Sequence, residues 1–169
     1  LLEKGEWEEA WKEHEWGFKS GMRVDREIPG TQLWDGKAKG KVAVYGEQGI
    51  GDEIMFATML PDLMKSNEVV FECHKRLVHL FQEAFPDLVC IGTREDKVIN
   101  WHEEHRPDYR ISIGSLGQYY RNKREDFPGT PYLKAETAPR GDKFRVGISW
   151  TGGLKPGRVA TRTVPLAWW

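Results

Sequence analysis

From Lys41 onward, short apolar runs alternate with longer stretches whose apolar residues recur at helical spacing. The pattern predicts strands at 41–46, 68–73, 88–91 and 109–113, and helices at 52–65, 75–84 and 114–120. Val42-Ala43-Val44 and Glu68-Val69-Val70-Phe71 have the near-continuous apolar character of strands buried on both faces. Alternation of this kind predicts an α/β fold, a parallel sheet with covering helices. Pro61 falls inside the first helical pattern and should kink or split it.

Before Lys41 the pattern differs. Residues 6–18 predict one amphipathic helix, with Trp7, Ala10, Trp11 and Phe18 on a stripe and Gly17 and Gly21 as stop signals. A single helix cannot bury its own stripe, so a neighbour is expected. Residues 19–40 read as a polar connector that carries Trp34 as an anchor. Residues 121–143, rich in charge, Pro and Gly, read as a linker. Phe144-Arg145-Val146-Gly147-Ile148-Ser149-Trp150 then predicts a new strand, followed by Thr151-Gly152-Gly153, as if a second α/β domain began. The chain opens at Leu1 and stops at Trp168-Trp169, so it reads as a fragment of a longer protein, with exposed apolar ends that favour self-association.

Composition narrows the class. Of 169 residues, 39% are hydrophobic and 30% charged, which fits a globular chain. A formal net charge of −1 gives no field for nucleic acid or a membrane surface. Cys73 and Cys90 lack metal-site spacing and read as reduced core thiols of a cytoplasmic protein. No apolar run reaches membrane-span length, and no signal peptide opens the sequence.

The candidate chemistry gathers at Gly46-Glu47-Gln48-Gly49-Ile50-Gly51-Asp52, between the first long strand and its helix. In open α/β sheets, ligands bind at the carboxyl ends of the strands, where this loop lies. Asp52 suits two roles: general base toward a substrate hydroxyl, or a cap for the first-turn amides. Glu47 and Gln48 are candidates for hydrogen bonds to sugar hydroxyls, or ordinary solvent-facing loop residues. Gly46, Gly49 and Gly51 let a ligand approach the backbone. The loop spells neither a dinucleotide fingerprint nor a Walker loop. Thr151, Gly152, Gly153 and Lys155, joined by Arg158 and Arg162, offer amides, a hydroxyl and cations to a diphosphate, or form a surface turn. His102-Glu103-Glu104-His105 has metal-like i, i+3 spacing but reads as a solvated surface stretch, and no metal site is expected.

An ordered set of segments resembles a known family. It comprises Gly5-Glu6-Trp7-Glu8-Glu9-Ala10-Trp11, Trp34-Asp35-Gly36, the block Gly46 to Ala57, Pro131-Tyr132-Leu133, Val146 to Gly152, and Thr161-Arg162-Thr163-Val164-Pro165-Leu166. Together they resemble bacterial proteins in which tetratricopeptide repeats precede a glycosyltransferase domain like that of the ADP-heptose lipopolysaccharide heptosyltransferases. The resemblance implies a GT-B architecture of two Rossmann-like domains. It divides the chain into the last repeat helix and connector (1–40), a Rossmann-like N-terminal domain (41–120), a linker (121–143), and the start of a C-terminal nucleotide-sugar-binding domain (144–169). It implies Asp52 as catalytic base, with Thr151, Gly152, Gly153, Lys155 and Arg162 toward the nucleotide-sugar diphosphate. It also implies a nucleotide-sugar co-substrate with no other cofactor, a glycan or protein acceptor, and a protein partner on the repeat helix. With so little of the second domain present, the chain alone is expected to be inactive or nearly so. Two other readings stand beside this one: a non-catalytic nucleotide- or sugar-binding module, and a repeat-based interaction domain.

Overall fold

The structure is a computed structural model that describes residues 1–134, 141–144, 146–148 and 163–168. Residues 1–134 form one compact unit and residues 135–169 a second. The break falls inside the expected linker. No break falls at 40/41, so the N-terminal 40 residues belong to the same compact unit as the sheet.

The first unit holds a five-stranded, all-parallel sheet in the order β1-β5-β2-β3-β4. The strands are β1 (Gln32–Leu33), β2 (Lys41–Tyr45), β3 (Glu68–Glu72), β4 (Val89–Ile91) and β5 (Tyr109–Ser112). The helices are α1 (Trp7–His14), α2 (Trp16–Lys19), α3 (Ile50–Phe56), α4 (Leu60–Met64), α5 (Val78–Ala84), α6 (Trp101–His105) and α7 (Gly117–Tyr120). This is an α/β, Rossmann-like arrangement, and β2 lies at its centre.

Successive side chains of a strand point to opposite faces, so a strand apolar throughout must be covered twice. Val42, Val44, Phe71 and Ile111 pack on one side with Trp11 of α1, Phe56 of α3, Leu60 and Leu63 of α4, and Phe81 of α5. Ala43, Tyr45 and Val70 pack on the other with Ile28 of the connector and Trp101 of α6. Each large apolar side chain buried in this way contributes roughly 1.5–3 kcal/mol.

Local sequence explains the departures from regularity. The helix expected at 52–65 starts earlier, at Ile50, and is interrupted by a 3-10 turn at Ala57–Met59. Pro61 follows in the first turn of α4, where its missing amide leaves no hydrogen bond unmade. The helix expected at 6–18 breaks at Glu15 rather than at Gly17. Gly17 stays helical and is buried because the Arg23 stem lies against it; a Cβ there would come within 2.6 Å of Arg23 Cδ.

The neighbour that α1 needs is the sheet unit itself. The Trp11 ring lies on Gly117, where a Cβ would sit 2.6 Å from the ring, and its indole N–H donates to the Arg121 carbonyl at 2.6 Å.

Three expectations need correction. The connector at 19–40 contains an edge strand, β1, whose residues align with Tyr109 and Arg110 of β5. His102-Glu103-Glu104-His105 is helical, in α6: Glu103 and Glu104 are exposed as expected, whereas His102 and His105 are half-buried beside buried Trp101. The strand expected at 144–150 is absent among its described residues. Phe144, Val146 and Ile148 have no regular structure and are 95%, 69% and 46% exposed. A strand takes its hydrogen bonds from a neighbour, and sequence pattern alone does not supply one.

Candidate functional site at the carboxyl end of the sheet

The chain leaves β2 through Gly46, crosses Glu47, Gln48 and Gly49, and enters α3 at Ile50. Gly46 is buried, and its missing side chain admits Glu53 rather than a ligand: a Cβ there would lie 2.6 Å from the Glu53 carboxylate. Gly49 and Gly51 are exposed. Asp52 sits in the first turn of α3, half-buried, and its Oδ2 accepts the Gly49 amide at 2.8 Å. The carboxylate thus closes the helix start as the returning arm of a capping box does, and complements the helix dipole.

Two arginines hold this loop from opposite sides. Arg94 donates to the Gln48 carbonyl, and its Nη1 lies 2.5 Å from Glu53 Oε1. Glu53 is fully buried, and its other oxygen accepts the His74 amide at 2.8 Å. Burial pushes the Glu53 carboxyl up, against the pull of the His74 amide and Arg94.

Arg23, arriving from the connector, does more. Its side chain is 4% exposed and that of Glu47 is 3% exposed. Arg23 Nη2 donates to Glu47 Oε1 at 2.9 Å and Nε donates to Oε2 at 3.0 Å. The same guanidinium reaches Glu15 Oε1 (2.9 Å), Ser112 Oγ (2.9 Å), Ser115 Oγ (3.0 Å) and His14 Nδ1 (2.7 Å). Ser112 Oγ also donates to Glu47 Oε1 at 2.5 Å. The Glu47 carboxylate is therefore turned inward and bonded on both oxygens, neither facing solvent nor free for a substrate.

Because Nδ1 of His14 accepts from Arg23, a neutral ring carries its proton on Nε2, so the Gln48 amide nitrogen 3.3 Å away is a neighbour there and not its acceptor. Burial, then the Arg23 charge, lowers the pKa of His14 and keeps it neutral.

Sheet topology explains why Arg23 is placed there. From β2 the chain moves to β3 and β4 on one side, whereas β5 lies on the other. The carboxyl ends of β2 and β5 therefore flank the switch point, the crevice where open α/β sheets bind ligands. Here Arg23 occupies it, bridging Glu47 after β2 to Ser112 at the end of β5.

The open space lies elsewhere at the same sheet end. A cleft of about 410 Å³ is lined by Asp25, Arg26, Tyr45, Gln48, Arg94 and Lys97, among others; Glu47 borders it, but Asp52 does not. Its floor is rigid. Fully buried Glu72 accepts from Arg26 Nη2 (2.7 Å), Thr93 Oγ1 (2.8 Å) and Trp101 Nε1 (3.1 Å). Tyr45 donates to Asp25 Oδ1 at 2.7 Å, and Arg110 donates to Oδ2 at 3.0 Å. Burial raises the Asp25 carboxyl, but these two donors outweigh it and hold the group below its ordinary value.

Of the residues expected to form a site, Glu47, Gln48 and Gly49 lie in the loop after β2, and Gly51 and Asp52 lie in the first turn of α3. Thr151, Gly152, Gly153, Lys155, Arg158 and Arg162 lie outside the described residues. Reading the sequence missed Arg23, Arg94, His14, Glu53 and Glu72. Glu72 carried a signal, as a carboxylate closing the apolar run Val69-Val70-Phe71. The described residues contain no group of three or more His, Cys, Asp or Glu arranged to hold a metal ion. None of their helices is long and apolar enough to cross a membrane.

No protein-family model matches this chain, and no solved structure matches it. The chain is similar to Protein FlbA of Caulobacter vibrioides, with 30% identity over 180 residues. That alignment takes in 89% of this chain but only 30% of FlbA, so the chain spans less than a third of that protein's length.

Proposed function

We propose that this chain is part of an inverting, metal-independent glycosyltransferase of GT-B type, with Asp52 as general base. The observation that carries the reading is a carboxylate in the first turn of the helix that follows the central strand, just after a loop whose Glu47 side chain is bonded by Arg23 and whose Gln48 carbonyl is bonded by Arg94. Transfer needs a base with little freedom to wander, because a misplacement of about 1 Å costs about a hundredfold in rate.

In the proposed step, the acceptor hydroxyl oxygen attacks the anomeric carbon of a nucleotide sugar. The carbon–oxygen bond to the diphosphate breaks, and its electron pair leaves on the diphosphate. The acceptor proton passes to an Asp52 oxygen. One Asp52 oxygen accepts the Gly49 amide, which would orient the other. Thr151, Gly152, Gly153, Lys155 and Arg162 are proposed to hold the leaving diphosphate. The similarity to FlbA aligns this chain with part of a longer protein and says nothing of its activity.

A second reading rests on the same hydrogen bond. If closing α3 is all that Asp52 does, the unit is a non-catalytic binding module. Asp52→Asn separates the two, because asparagine keeps an oxygen for the Gly49 amide and loses the base. The test is transfer of labelled sugar from a panel of nucleotide sugars by the full-length protein and by the 169-residue chain. Turnover lost in a folded Asp52→Asn variant supports the base; turnover retained makes Asp52 a cap.

A further inference from the structure

Two neighbouring carboxylates open α3, and only one of them is a candidate for chemistry. Asp52 is half-buried at the helix start, whereas Glu53 is fully buried. We propose that Arg94 is a positioning residue: through the Glu53 carboxylate and the Gln48 carbonyl it fixes the start of α3, and with it the direction of the Asp52 carboxylate. For its effect on turnover this rests on the transferase reading above; the placement of Asp52 is measurable without it.

Four segments meet at Glu53. Gly46, after β2, makes room for its carboxylate by lacking a Cβ. One oxygen accepts the His74 amide, after β3, at 2.8 Å. The other lies 2.5 Å from Arg94 Nη1, in the turn after β4. The same Arg94 nitrogen donates to the Gln48 carbonyl. One nitrogen therefore ties residue 48 to residue 53. Between them lies the hydrogen bond that aims the candidate base, from the Gly49 amide to Asp52 Oδ2 at 2.8 Å. The turn that carries Arg94 is itself held. The adjacent Glu95 carboxylate lies 3.3 Å from His74 Nε2, and the Asp96 amide donates to the Thr93 carbonyl at 2.8 Å.

Packing does not require this charge pair. Phe56 already anchors α3 in the core, with Ile50 and Ile54 against it. A buried ion pair is often no more stabilising than apolar side chains of the same volume. What it adds is direction, because charge-assisted hydrogen bonds constrain angle as well as distance. Arg23 does not duplicate the tie, since it bonds the Glu47 side chain and lies outside the segment from 48 to 53.

The test compares Arg94→Met, Arg94→Lys and Glu53→Gln with the wild type. Methionine keeps an apolar stem without the donor, whereas a lysine ammonium has donors enough for both acceptors that Nη1 serves. In the isotopically labelled chain, the Gly49 amide signal should be displaced and its exchange faster in Arg94→Met and Glu53→Gln. It should return toward its wild-type position in Arg94→Lys. If the Glu53 charge stranded in Arg94→Met prevents folding, the Arg94→Met/Glu53→Gln double variant reads the same displacement without that charge. In the full-length protein, Arg94→Met should lower kcat by about a hundredfold with donor KM nearly unchanged, and Arg94→Lys should regain most of the loss. A Gly49 signal left in place, equal losses in Arg94→Lys and Arg94→Met, or a lower melting temperature as the only change would overturn the assignment. If Asp52→Asn leaves turnover intact, the transferase reading fails alone, and a displaced Gly49 signal still supports the positioning role.

Discussion

Replacing Arg23 by alanine should be among the most damaging single changes in the unit. The guanidinium is 4% exposed and is the cation bonded to both oxygens of Glu47, itself 3% exposed. Removing one member of a buried pair strands the other, which costs about 3–5 kcal/mol. His14, Glu15, Ser112 and Ser115 lose a donor at the same time. In a chain of this size, each kcal/mol lowers the melting temperature by about 2–4 °C, so a fall of roughly 6–20 °C is expected. The assay is urea unfolding of Arg23→Ala, Glu47→Gln and the double variant, with thermal melts alongside. If the stranded carboxylate is the cause, the double variant should recover part of the loss, with a coupling of about 1–3 kcal/mol. A loss below about 1 kcal/mol, or strictly additive variants, would refute the account of the crevice as a charge-locked core.

Further outcomes follow from the same geometry. Gly46→Ala should destabilise by about 1–3 kcal/mol and shift the loop signals, since the new methyl meets the Glu53 carboxylate at 2.6 Å; an unchanged urea midpoint would show that the contact is soft. Gly117→Ala should loosen α1 by pushing against Trp11, read as faster amide exchange at the N-terminus. His14 has its pKa lowered below 6.5 in the folded chain, so the unfolded chain binds the extra proton first. Stability from this group is full above about pH 7 and falls as pH drops through 6.5 toward the folded value. The wild type should therefore lose more stability than His14→Gln between about pH 7.5 and 5.5, and parallel curves would contradict the neutral imidazole.

How much of this was legible from residues varies by element. Strands β2 to β5 and α5 were legible because their apolar periodicity is local and strong. β1 was not, because two exposed residues on a sheet edge carry no periodicity, and their pairing is decided by β5, some 77 residues later by register. The loop at 46–52 was legible as a place; the direction of its side chains was not. Glu47 has the composition of a solvent-facing loop residue and is buried because Arg23, 24 positions earlier, reaches it. Likewise, nothing near Gly46 in sequence reveals that its missing Cβ makes room for Glu53. Charges buried by long-range partners leave no mark at the spacing of a turn or a helix, and the crevice is built almost wholly from such pairs.

The most direct measurement of the central claim is sugar transfer by the full-length protein, wild type beside Asp52→Asn, with folding and donor binding checked in both. The account predicts turnover in the wild type and its loss in a variant that still folds and binds donor. Equal turnover in the two proteins, or none in either with any donor, would contradict it.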